Sequence, residues 1–266
     1  MAPTEDVEDA WADLEEALGL VGIVPATYMN SIAGIKALCG RNNGIVCTSS
    51  NAKAALKWAF EQGECMLFLP DQHLGRNTPE QLRRAKMVLW QGHCSVHTRF
   101  TTSQINAARA LHPDINIIAH PECPMETVQA EDMVGSTEFI REKVNSAPPG
   151  SKWGIGTEVS LANRLAINNP DKTVFCLDSV ACPCSTMYRV HPAYVLWMLD
   201  GLLEGKVNNE LPCLTTSGAT PRSPWTGCPL SGRPASRFSC LSLMARQMQL
   251  RYNCAWQITR PPGFHR

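Results

Sequence analysis

Eight short, almost continuously apolar runs, spaced along the first two thirds of the chain, constrain its fold more than any other feature. They are Leu20–Tyr28, Gly44–Ser49, Cys65–Pro70, Met87–Gln91, Ile115–His120, Met133–Gly135, Trp153–Thr157 and Thr173–Leu177. Helical patterns occupy 4–18, 32–39, 52–62, 102–111, 137–145, 159–168 and 192–204, mostly between these runs. A strand with one wet face alternates apolar and polar residues; one that is apolar throughout is covered on both sides, and intervening helices supply that cover. The chain therefore reads as α/β, built on parallel sheets. Its first helix is the clearest, with Val7, Ala10, Trp11, Leu14 and Leu18 at helical spacing among acids and Thr4 available as an N-cap.

The runs stop near residue 91 and resume near 115, after a Pro113-Asp114 turn, which predicts two α/β units, 1–100 and 101–210. Beyond Glu210 the pattern ends. Pro212, Pro221, Pro224, Pro229 and Pro234 break up Ser, Thr, Gly and Arg, and 211–266 reads as disordered or out-of-frame sequence. Charge divides at the same place: 1–210 carries 17 bases against 24 acids, a net of −7, whereas 211–266 carries seven Arg and no acid. Those Arg are scattered, without a cluster or interleaved aromatics, so neither a nucleic-acid nor a membrane partner is expected.

Twelve cysteines would suit a disulfide scaffold in a secreted chain. However, Met1-Ala2-Pro3-Thr4-Glu5-Asp6 has neither a basic nor an apolar signal region, and no run of about 18 apolar residues exists to span a bilayer. A cytoplasmic protein with reduced cysteines open to metals is expected.

In open parallel sheets, ligands gather at the carboxyl ends of strands, where loops meet helix N-termini. The residues there are Tyr28-Met29-Asn30, Thr48 to Asn51, Asp71-Gln72-His73, Gly92 to His97, His120 to Cys123, Gly135-Ser136-Thr137, Gly156-Thr157-Glu158 and Ala181 to Cys184. Each has an ordinary reading too. Ser49 to Asn51 and Ser136-Thr137 are good helix caps, and a cap at a cleft can also bind an anion. His120-Pro121-Glu122 is either a proton-transfer pair or a strand stop followed by a turn cap, and Asp71 and His73 read as turn residues. Cys94-x-x-His97 and Cys182-x-Cys184 lack the paired spacing of a zinc ribbon. Cysteines far apart in sequence but each at a strand end suit an iron–sulfur cluster, or else are inert core residues.

Tyr28-x-Asn30-Ser31, Cys47-Thr48-Ser49-Ser50-Asn51-Ala52, Pro70-Asp71-x-x-Leu74-Gly75, Gly92-x-Cys94-x-Val96-His97, His120-Pro121-Glu122-Cys123, Val134-Gly135-Ser136-Thr137, Gly156-Thr157-Glu158 and Cys184-x-x-Met187 stand in this order. Together they resemble the quinolinate synthase family of iron–sulfur enzymes, over residues 4 to 206. The resemblance implies repeated three-layer α/β domains about a pseudo-threefold axis, with the first domain absent and an atypical tail. It implies a [4Fe–4S] cluster acting as Lewis acid, with Cys94 and Cys184 as two of its three ligands. The implied reaction of de novo NAD biosynthesis joins iminoaspartate (iminosuccinate) to dihydroxyacetone phosphate, giving quinolinate, water and phosphate. L-aspartate oxidase or aspartate dehydrogenase would supply the imine. Tyr28, Met29, Asn30, Ser49, His120, Pro121, Glu122 and Thr137 would bind substrate, with Glu122, Tyr28 and His97 catalytic. Without the first domain's ligand, the chain is expected to turn over little. The alternative is a non-catalytic α/β module that senses metal or redox state through Cys94, His97, Cys182 and Cys184.

Overall fold

The computed structural model describes residues 2–18, 22–77, 86–178, 180 and 184–209. Helix α1 (Thr4–Leu18) leads into a parallel sheet of β1 (Ile23–Tyr28), β2 (Ile45–Cys47), β3 (Cys65–Leu69) and β4 (Lys86–Leu89), in the order β2-β1-β3-β4. Helices α2 (Ala33–Arg41), α3 (Ala52–Gln62) and α4 (Gln72–Asn77) connect them. After α5 (Thr102–Leu111) comes a second parallel sheet of β5 (Asn116–Ala119), β6 (Met133–Val134), β7 (Lys152–Gly156) and β8 (Thr173–Cys176), in the order β6-β5-β7-β8. Its connections are α6 (Met125–Ala130), α7 (Thr137–Ser146) and α8 (Val159–Asn168); α9 (Ser185–Tyr188) and α10 (Pro192–Leu203) follow. The class is α/β, as the unbroken apolar runs require.

Both sheets are three-layered, and β3 shows why. Met66 and Phe68 point into a cluster with Ala55, Leu56 and Ala59 of α3, while Cys65, Leu67 and Leu69 point the other way, to Val7 and Trp11 of α1 and Ile35 and Leu38 of α2. Successive side chains leave a strand on opposite faces, so covering both faces demands apolar residues at every position. In the second sheet Ile117 and Ala119 pack with Ile105 and Ala108 of α5, while Ile118 packs with Ile140 and Val144 of α7 and Ala162 and Leu165 of α8.

The two strand orders are the same, each with the second strand on one side of the first and the remaining two on the other. The order reverses between β1 and β3 and between β5 and β7, and at such reversals the outgoing loops part and leave a crevice. Tyr28 and Asp71 emerge at the first reversal, His120 and Thr157 at the second. Asn77, the last residue of α4, joins the two halves: its Nδ2 donates to the carbonyls of Pro121, at 2.8 Å, and Cys123, at 2.7 Å.

Periodicity missed α4, α6, α9 and a 3₁₀ turn at His97–Arg99, all of six residues or fewer. Segments that short show no repeat. Ser136 rather than Thr137 caps α7, its Oγ accepting from the Phe139 N–H at 3.3 Å. Before α3, Asn51 occupies the cap position, yet its Oδ1 accepts from the Thr48 N–H at 2.6 Å and pins the loop instead. Cys182 and the segment 211–266 lie outside the described residues.

Candidate active site

Asp71 sets the first part of the site. It is fully buried just beyond β3; Oδ1 accepts from the Leu74 N–H at 2.8 Å and Oδ2 from the Cys94 N–H at 2.9 Å. One carboxylate thus fixes both the start of α4 and the loop carrying Cys94. Downstream, the Cys94 carbonyl accepts from the N–H and hydroxyl of Thr98, both at 3.0 Å, which closes the turn presenting His97. Arg99 then pairs with Asp178 at 2.9 Å, tying this loop to the one after β8.

His97 crosses to the second sheet. Its Nε2 lies 3.0 Å from Thr157 Oγ1 at the end of β7, and its ring stacks on His120 with centroids 4.7 Å apart. Glu122 completes the group, with Oε2 3.2 Å from His120 Nδ1 and 3.6 Å from His97 Nδ1. The phenol of Tyr28 lies near enough to Glu122 and Ser49 to interact with both, so both sheets contribute to one set of side chains. Glu122 is only 2% exposed, and its Oε1 has no hydrogen-bond partner; nor has His97 Nδ1.

Burial dominates the acid–base properties of this group. Desolvation raises the Glu122 carboxyl above its usual range, against the opposing pull of His97 and the Tyr28 phenol. It lowers His97 and His120 to about 4 each, leaving both imidazoles neutral at physiological pH. The Tyr28 phenol is pushed up, first by burial and then by the Glu122 charge, so it remains a proton donor. Cys94, half-buried, rises to about 11 for the same chief reason. The result is a buried group in which neutral imidazoles surround one carboxyl whose hold on its proton is strengthened by burial.

Of the residues expected from sequence, Tyr28, Ser49, Cys94, His97, His120 and Glu122 come together. The Pro121 carbonyl is held by Asn77. Met29, Asn30 and Thr137 are exposed and stand apart from the buried group. Cys184 stands at the N-cap position of α9 and packs, with Cys94, against the core cluster around Val96 and Phe100. Among the described cysteines, Cys39, Cys47, Cys65 and Cys123 are buried, whereas Cys94, Cys176 and Cys184 are part-exposed and all are free thiols. Reduced, accessible thiols on separate loops fit thiolate ligation of an iron–sulfur cluster. Sequence reasoning gave no role to Asp71, Asn77 or Thr157. Asp71 and Thr157 were noted at strand ends, Asp71 with a turn reading and Thr157 without a role; Asn77 carried no signal at all.

The family model for quinolinate synthetase A protein matches residues 1–213. A quinolinate synthase of Corynebacterium glutamicum is 48% identical over 235 residues, covering 79% of this chain and 60% of the relative. That of Herpetosiphon aurantiacus is 44% identical, covering 79% and 64%, and that of a Nocardioides species 47% identical, covering 79% and 61%. The chain thus spans somewhat over half the length of these curated relatives.

Proposed function

The chain belongs to the quinolinate synthase family, and from that premise we propose that it carries two α/β units, divided near residue 100, of an enzyme making quinolinate from iminoaspartate and dihydroxyacetone phosphate. Two waters and phosphate leave, and atoms and electrons balance without an oxidant. Cys94 and Cys184 would hold two corners of a [4Fe–4S] cluster, which when bound supplies a Lewis-acidic iron that polarises a substrate oxygen. The setting is cytoplasmic NAD biosynthesis, fed by an aspartate oxidase or dehydrogenase.

The observation that carries this reading is the buried carboxyl of Glu122 between Tyr28, His97 and His120. Joining these substrates requires imine–enamine exchange and loss of hydroxyl groups, both of which move protons between carbon, nitrogen and oxygen. A carboxyl whose proton affinity is raised by burial accepts a proton from carbon and returns it to a departing hydroxyl. Tyr28, kept protonated beside it, is the proton donor available to that carboxylate. His97 is held by Thr157, and with His120 it offers neutral hydrogen bonds rather than charge. Substrate carboxylates are met by Asn30, Ser49 and Thr137, with the Met29–Asn30 and Pro121 backbones shaping the wall.

Glu122→Gln in a chain extended to the relatives' full length tests this reading. Quinolinate formation should fall by about 10²–10⁴ while iron content is unchanged. Wild-type rates would refute it.

A further inference from the structure

We propose that α9 and α10 form a surface through which two copies of this chain pair, antiparallel, about a twofold axis near Val195. Helix α10 starts cleanly, with Pro192 in its first turn and His191 Nδ1 accepting from the Ala193 N–H at 3.2 Å. Gly201 is nevertheless its one buried residue. On that side Asn208 folds back: its Nδ2 donates to the Trp197 carbonyl at 3.3 Å and lies where a Cβ on Gly201 would be. The opposite side carries Leu196, Leu199 and Leu203, spaced three and four positions apart and so aligned in one stripe. These leucines are 50%, 39% and 87% exposed. A helix this apolar is at home only under cover, because water gains nothing from the side chains it surrounds.

A second copy is a cover of the right size. Met187, Tyr188 and Val190, all exposed, continue the surface ahead of α10. With the three leucines they present roughly 700 Å² of apolar side chain, against the about 800 Å² that each partner contributes to a standard interface.

The surface is also self-complementary in charge. Its apolar stretch runs from Met187 to Leu203, with Val195 at the midpoint. Arg189 lies six positions before that midpoint and Asp200 five after it, and no other Lys, Arg, Asp or Glu occurs in the stretch. Both are exposed, and neither makes an ion pair among the described residues. Antiparallel crossing at Val195 sets Arg189 of each copy against Asp200 of the other, and Met187 and Tyr188 against Leu202 and Leu203. Parallel pairing would instead bring Arg189 to Arg189 and Asp200 to Asp200. In an isologous interface one patch serves both copies, and opposite charges at its two ends select the antiparallel direction. The pairing uses no side chain of the group around Glu122 and does not depend on the reaction proposed above.

The test is sedimentation equilibrium of the 266-residue chain over a range of concentrations. A reversible dimer is expected, and Leu199→Glu combined with Leu203→Glu should leave only monomer. Asp200→Arg alone and Arg189→Asp alone should each weaken pairing about 10-fold, whereas the two together should restore it to within about 3-fold of the native chain. Circular dichroism identifies any variant that fails to fold; the exposed positions chosen should not perturb it. A monomeric native chain, a dimer indifferent to the leucine substitutions, or no restoration in the charge-exchanged chain would overturn the proposal. Cosedimentation of the native chain with anionic lipid vesicles, lost in the leucine variant, would make a lipid surface the cover and overturn it too.

Discussion

Replacing Glu131 with Gln should abolish a pH-dependent loss of stability that the native chain carries. Glu131 follows α6, and neither of its carboxyl oxygens, both buried, has a hydrogen-bond partner. Burial, reinforced by the neighbouring Asp132 charge, pushes its pKa from 4.5 to about 8. A carboxyl with a raised folded pKa binds protons more tightly when folded, so stability is retained below the unfolded value and lost as pH rises toward the folded one. Between pH 5 and 8 the slope from this one group is about −1.4 kcal/mol per pH unit. Glutamine is isosteric with the neutral acid and does not ionise. The stability difference between variant and native chain should thus grow from about 1 kcal/mol at pH 5 to about 4 kcal/mol at pH 8, in favour of the variant. Urea unfolding followed by circular dichroism at pH 5, 6.5 and 8 measures this, and titrating groups remote from Glu131 cancel in the difference. Parallel stability–pH curves for the two proteins would refute the reasoning.

Asn77→Ala removes two hydrogen bonds that span the sheets and leaves the Pro121 and Cys123 carbonyls unpaired, at a cost of about 2 kcal/mol in urea unfolding. It should also quicken amide exchange across residues 120–123; unchanged exchange would mean the loop is held by other contacts. Gly44→Ala would set a methyl 2.1 Å from the Pro25 carbonyl oxygen, a backbone atom that cannot turn aside. That chain should lose at least about 3 kcal/mol or fail to yield soluble protein, and a stable product would disprove so close an approach. Thr101→Ala breaks the capping box of α5, in which Thr101 and Gln104 each accept from the other's backbone N–H, and should cost about 1 kcal/mol in the same assay. Cys94, raised from 9.0 to about 11, should react with iodoacetamide about 10-fold more slowly than an unperturbed thiol, once the smaller thiolate fraction is set against its greater nucleophilicity. A rate matching that of a free thiol would place Cys94 in a wetter setting.

Much of the fold was legible along the chain because both faces of each sheet are buried. β1 is buried at all six positions, and no alternating pattern competes with that reading. Strand ends announced Tyr28, Cys94, His120 and Glu122 by the same logic, since polar residues that follow an apolar run in a parallel sheet emerge where helices begin. The short elements escaped notice. α4 and α6 have six residues each, yet between them they position Asn77 and seat the loop of His120 to Glu122.

The amino-acid order determined which residues are apolar, with what period, and which polar groups follow them; from these came the α/β class, the parallel sheets and the family. Only the tertiary structure decided that His97 meets Thr157, 60 positions away, and that Asp71 holds Cys94 across 23. The carboxyl of Glu122 likewise owes its raised pKa to groups brought around it from both sheets. Local propensity acts over a few residues, whereas hydrogen bonds and desolvation depend on distance in space, which the chain alone does not specify.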